Sequence, residues 1–144
     1  MYRRILTVVD LTERSKEVVQ RARLIATACG NATLELLHVV EYVPVEPLSD
    51  SLMPAVQLET ELLERARTRL NALVENLQLG DVPRDVQFGN VKSEILRVAR
   101  ERGVDLIVLG SRERHGLSIL VNLTEDTVLH GAPCDVLAVR LNGK

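Results

Sequence analysis

The sequence predicts an α/β fold: a five-stranded, mainly parallel sheet with helices on both faces. Two observations lead there. Five short strand-like runs recur, and several of them, Arg4–Val9 and Asp105–Leu109 above all, are continuous β-branched and aliphatic stretches rather than alternating ones, the habit of strands buried on both faces. The stretches between them have crossover length and mostly carry apolar residues at helical spacing, which gives the order βαβαβαβαβ and a covered parallel sheet. A chain of 144 residues, 46% hydrophobic and 26% charged, is the size and composition of one globular domain, read here as residues 1–144.

The first run, Arg4–Val9, stops at Asp10. Thr12 is placed to cap a helix in which Val18, Ala22, Ile25, Ala26 and Cys29 share a face and Gly30 ends the last turn. Leu34–Val40 (LELLHVV) is the second strand, and Pro44, Pro47 and Pro54 mark a long surface connection after it. From Val56 to Leu77, the residues Leu58, Leu62, Ala66, Leu70, Leu73 and Leu77 form the stripe of the longest amphipathic helix, closed by Gly80 and Pro83. Asp85–Phe88 is a short strand ending in a tight turn at Gly89. The helix Ser93–Arg102 follows, with Ile95, Leu96, Val98 and Ala99 inward and Gly103 at its end. Asp105–Leu109 (DLIVL) runs into Gly110, Leu117–Leu129 has a helical pattern, and Pro133 precedes the last strand, Asp135–Arg140.

Charge and composition exclude several classes of function. A net charge of −2 and three aromatic residues, Tyr2, Tyr42 and Phe88, supply neither the basic face nor the stacking rings of a nucleic-acid surface. The apolar run at the start is too short for a secretory signal, and no window approaches the roughly 20 apolar residues of a membrane span, so a soluble cytoplasmic protein is expected. Cys29 and Cys134 lack CxxC spacing and read as buried free thiols. His38 lies inside an apolar strand and reads as a core histidine, while His115 and His130 sit in turns without a nucleophile elbow. No HExxH, P-loop or ligand-spaced cluster occurs, so neither a metal site nor catalysis is expected. A phospho-acceptor receiver needs an acidic pair and a lysine at strand ends, where this chain has a single Asp10, Phe88-Gly89 and Arg140; TVVDLT lacks the GxGxxG of a dinucleotide site.

Ligands of such sheets sit beyond the carboxyl ends of the strands, where the winding reverses. The residues to watch are therefore Asp10, Val39–Glu41, Gly89–Asn90 and Gly110–Ser111. Here the pieces RRILTVVDLTERS, LLHVV, GNVKSEILRVARERGVDLIVLGSR and APCDVLAVR, in this order and across nearly the whole chain, resemble the universal stress protein family. The resemblance implies a doubly wound, Rossmann-like sheet of order 3-2-1-4-5, of the adenine nucleotide α-hydrolase-like kind. It also implies a homodimer and, in many members, ATP between the first and fourth strands.

The resemblance assigns roles residue by residue. Asp10 would lie at the nucleoside end of the pocket, Val39 would line the adenine, and Gly89 matches the glycine after the third strand. Gly110, Ser111, Arg112, Thr124 and Glu125 would face the phosphates. Nucleotide-binding members carry GxxGx9G followed by Ser or Thr, which lets backbone amides and a helix N-terminus approach an anion. This chain reads GSRERHGLSILVNLT: Gly110 and Thr124 match, but Glu113 and Leu123 stand where the second and third glycines belong. A carboxylate repels a triphosphate and a leucine fills phosphate space, so the chain resembles the branch with weak or absent ATP binding. Arg112, Arg114 and His115 add compensating charge.

Two functions follow as expectations. The first is a non-catalytic cytoplasmic stress-response protein acting on unidentified protein clients, a homodimer through the last strand near Val136–Arg140, whose apolar edge needs a cover. The alternative is an ATP-binding switch with slow hydrolysis.

Overall fold

A computed structural model describes residues 1–41, 55–112, 128 and 130–141. Five strands, β1 (Arg4–Val8), β2 (Thr33–Glu41), β3 (Arg84–Gly89), β4 (Leu106–Arg112) and β5 (Asp135–Leu141), alternate with helices α1 (Ser15–Ala28), α2 (Ala55–Asn76) and α3 (Val91–Glu101). The sheet order is β3-β2-β1-β4-β5, and each neighbouring pair is parallel. The chain winds outward from β1 to β3, then returns to place β4 on the other side of β1. The switch point therefore lies between β1 and β4.

Alternation along the buried strands sends side chains to two cores. Leu6, Leu37, Val39, Ile107 and Leu109 pack with Ile95, Val98 and Ala99 of α3, and Val128 joins them fully buried. On the opposite face Ile5, Leu106, Val108 and Val139 meet Val18, Ala22 and Ala26 of α1, while Val9, Leu36 and Val86 meet Ala66, Leu70 and Val74 of α2. Arg23 of α1 donates to the Leu77 carbonyl at 3.1 Å, satisfying the end of α2 with a cation where the helix dipole favours one. Thr7, fully buried in the central strand, has no hydrogen-bond partner for its hydroxyl among the described residues.

The ends of elements depart from the sequence pattern for identifiable reasons. The first strand ends at Val8 rather than Val9: the Val9 amide still donates to the Leu37 carbonyl at 2.9 Å, but its own carbonyl is taken by the His38 ring. Thr12 does not cap α1. The helix begins at Ser15 behind Arg14, which is in helical geometry and makes no side-chain cap, while Thr12 belongs to the preceding turn. The third helix starts at Val91, not Ser93, because the Asn90 side chain accepts from the Ser93 amide at 3.0 Å and caps it. Cys29 and Cys134 are free but half-buried rather than buried. The helix expected over 117–129 lies outside the described residues except for Val128, as does the proline-bearing connection from Tyr42 to Pro54.

Candidate functional site

The β1–β4 register, with Thr7 opposite Val108, brings Asp10 and Gly110–Ser111 to the same carboxyl edge of the sheet. Asp10 is exposed, but its Oδ1 is already committed. It accepts from the Thr12 amide at 3.0 Å, the Thr12 hydroxyl at 2.7 Å and the Ser15 hydroxyl at 2.9 Å. The carboxylate thereby closes the turn that leads into α1 and lies by the helix N-terminus, where the dipole favours an anion.

The residue after it is held in an uncommon conformation. Leu11 has φ +62°, a left-handed backbone that a branched side chain adopts only under constraint. Two groups from distant sequence supply that constraint. Arg69 of α2 donates from Nη2 to the Leu11 carbonyl at 2.6 Å, and the Leu11 side chain packs into the α2 core. His38 of β2 meets the Val9 carbonyl through Nδ1 at 2.7 Å; a carbonyl only accepts, so Nδ1 carries the proton. Burial holds the His38 ring below the usual imidazole range; the Val9 carbonyl and Asp10 pull it upward and Arg69 pushes it further down.

The remaining predicted site residues have structural surroundings of their own. Val39 is buried in the α3 core, opposite Gln87 of β3. Gly89 has φ +150°, which L side chains rarely adopt, and a Cβ there would meet Glu94 Cγ at 3.4 Å. Gly110 has ordinary backbone but no spare room. A Cβ would sit 2.7 Å from Leu141 Cδ1, the end of a flexible side chain, and 3.2 Å from Val18 Cγ2, so β5 and α1 pack closely over the glycine. Ser111 is half-buried opposite Arg140, and Arg112 ends β4 opposite Leu141. Thr124 and Glu125, with Glu113 and Leu123, lie outside the described residues.

The fold thus gathers Asp10, Gly110 and Ser111 at the switch point, with Val39 and Gly89 toward β3. Sequence reasoning missed Leu11, Arg69 and the reach of His38 to Val9. Arg69 sits on the polar face of an amphipathic helix, and no local pattern marks which exposed arginine will find a carbonyl. Among the described residues no group of three His, Cys, Asp or Glu is placed to hold a metal ion, and no helix is long and apolar enough to cross a membrane.

A family model described as the universal stress protein family matches residues 1–140. The chain belongs to the universal stress protein family. The universal stress protein A homolog 2 of Coxiella burnetii is 38% identical over 143 residues, which cover 99% of this chain and 97% of that protein. The solved universal stress protein UspA from Lactobacillus plantarum superposes with a TM-score of 0.72 at 26% identity, over 96% of this chain and 98% of that one. A universal stress protein solved in complex with cAMP aligns over 96% of both chains, with a TM-score of 0.60 and 23% identity, and shares the fold.

Proposed function

We propose that this universal stress protein is a non-catalytic, cytoplasmic stress-response protein, a single-domain homodimer in which ATP binding is weak or absent and unidentified protein clients are engaged instead. Gly110 carries the reading. It is the glycine that matches the family's phosphate loop, and the Leu141 and Val18 side chains pack closely over it, which gives a small residue a structural use apart from any phosphate. Asp10 likewise closes the turn before α1 through three accepted hydrogen bonds. With Glu113 and Leu123 where the other two glycines would stand, the structural uses of Gly110 and Asp10 support a fold that does not depend on bound nucleotide.

Calorimetric titration with ATP, together with nucleotide extraction from the purified protein, tests the first half. The expected result is no bound nucleotide and a Kd of ~1 mM or weaker. Co-purified adenine nucleotide would overturn it in favour of an ATP-binding switch in which Gly110, Ser111, Thr124 and Glu125 hold the phosphates. The dimer is supported by β5, which pairs with β4 on one side and carries half-buried Val136 and Leu137 and exposed Ala138 at a sheet edge. Light scattering on Leu137→Pro is expected to give monomer or aggregate; an unchanged dimer would exclude this edge as the interface.

A further inference from the structure

The edge strand β3 shows its backbone directions through its register with β2. Leu36 stands opposite Arg84, and the Leu36 amide donates to the Pro83 carbonyl at 2.9 Å. In a parallel pair the bonding residue ties to the two neighbours of its opposite number, so the amides and carbonyls of Arg84 and Val86 point away from β2. Among the described residues no strand pairs with that side. An outward row of this kind is a template for another chain.

The Val86 amide is nevertheless taken. Asp85 Oδ1 accepts it at 2.9 Å, so a side chain occupies the position where the carbonyl of an added strand would have to arrive. The carboxylate is held in place from its other oxygen: Oδ2 accepts from Arg102 Nη2 at 2.8 Å and from Gln87 Nε2 at 2.5 Å. Those two residues are themselves fixed. Arg102 also donates to Glu35 at 3.2 Å, and Gln87 Oε1 accepts from Arg97 at 3.2 Å. Residues from α3 and its C-cap thus fix one aspartate against the edge amide, while the Val86 side chain is anchored in the α2 core.

We propose that Asp85 closes the β3 edge to strand addition by a second copy of this chain. A copy laid antiparallel about a twofold axis at Val86 would exchange its two central hydrogen bonds between the two Val86 residues. Both of those donors are plugged, and the approach would also bring two carboxylates together at the axis. The inference rests on the proposed function only for what the closure achieves. A dimer joined at β5 has two β3 edges left, and closing them stops growth from a pair into an open run of sheets.

Two measurements test the guard. In the parent protein, hydrogen exchange at the Val86 amide should be about tenfold slower than at the Arg84 amide, although both point outward; equal rates overturn the guard. In analytical ultracentrifugation, Asp85→Ala should show a weight-average mass that climbs about twofold above the parent's as its concentration approaches about 1 mM. Adding Arg84→Pro, which removes an outward amide without costing a bond to β2, should return the mass to the parent's. Glu35→Ala takes the other carboxylate from Arg102 but leaves the edge plugged, and should keep the parent's mass. An Asp85→Ala protein that stays at the parent's mass, association that survives Arg84→Pro, or equal association in Glu35→Ala overturns the proposal. A monomeric parent would exclude the β5 dimer and leave the guard standing, with Asp85→Ala then stopping at a pair.

Discussion

An alanine methyl at Gly110 would have to displace Leu141 and Val18 together, since both contacts are closer than side chains ordinarily tolerate. Gly110→Ala should lower stability by about 1 kcal/mol, the low end of overpacking penalties, because the end of Leu141 can turn aside. Thermal unfolding measured with and without added ATP checks this: the loss is expected in full in both conditions. A loss seen only with nucleotide would mean that Gly110 serves the phosphates after all. At Asp10 the argument runs through the hydroxyl of Ser15, which is buried to 1% exposure and donates to the carboxylate. Asp10→Ala orphans that donor and the Thr12 amide, and should cost about 2 kcal/mol in denaturant unfolding. Asp10→Asn keeps an acceptor and should recover most of the loss.

At the scale of elements, ion pairs of similar length carry unequal weight. Arg102, at the end of α3, donates to Glu35 of β2 at 3.2 Å and to Asp85 of β3 at 2.8 Å, tying a helix to two strands. Burial works against its charge, yet the hydrogen bonds of the two carboxylates outweigh it and keep the guanidinium firmly protonated. Arg102→Ala should cost about 1–3 kcal/mol, because Glu35 and Asp85 would then face each other without a cation. The Arg67–Glu64 pair within α2 is as short, 3.0 Å, but its side chains are 51% and 67% exposed. Arg67→Ala should stay within about 0.5 kcal/mol of the parent. Equal effects of the two substitutions in chemical denaturation would contradict this ordering. The inner strands β1 and β4 were legible in the sequence because near-continuous aliphatic runs mean burial on both faces. The end of β1 and the start of α3 were not, since the ring of His38 and the side chain of Asn90 decide them. A pattern search sees such polar residues as neutral.

Across the whole molecule, the same distinction separates what the sequence discloses about the site from what it does not. Asp10, Gly89 and Gly110 stand just beyond readable strands, so topology alone brought them to one edge. Arg69 and His38 reach that edge from 58 and 29 residues away in the chain, distances over which no motif operates. Acid should weaken the fold in two stages for related reasons. His38 is held below its usual range, so the folded protein binds this proton less readily than the unfolded chain, and stability begins to fall as pH drops below 6.5. Glu94, held low chiefly by its hydrogen bond with Arg97, adds stability that is present above 4.5, its usual value, and is lost as pH falls through the lowered one. Unfolding midpoints measured against pH should show both slopes in the parent, and only the second in His38→Asn.

Thr7 sits at the geometric middle of this arrangement, flanked by Leu36 and Val108, with a hydroxyl that bonds to nothing described around it. Its shape is almost that of valine. Thr7→Val therefore removes a desolvated polar atom without changing volume, and should raise stability by about 1 kcal/mol, several degrees in Tm for a chain of this size. The central strand thus holds unused thermal headroom, open to a single substitution that leaves the Asp10 turn at the carboxyl edge of the sheet untouched.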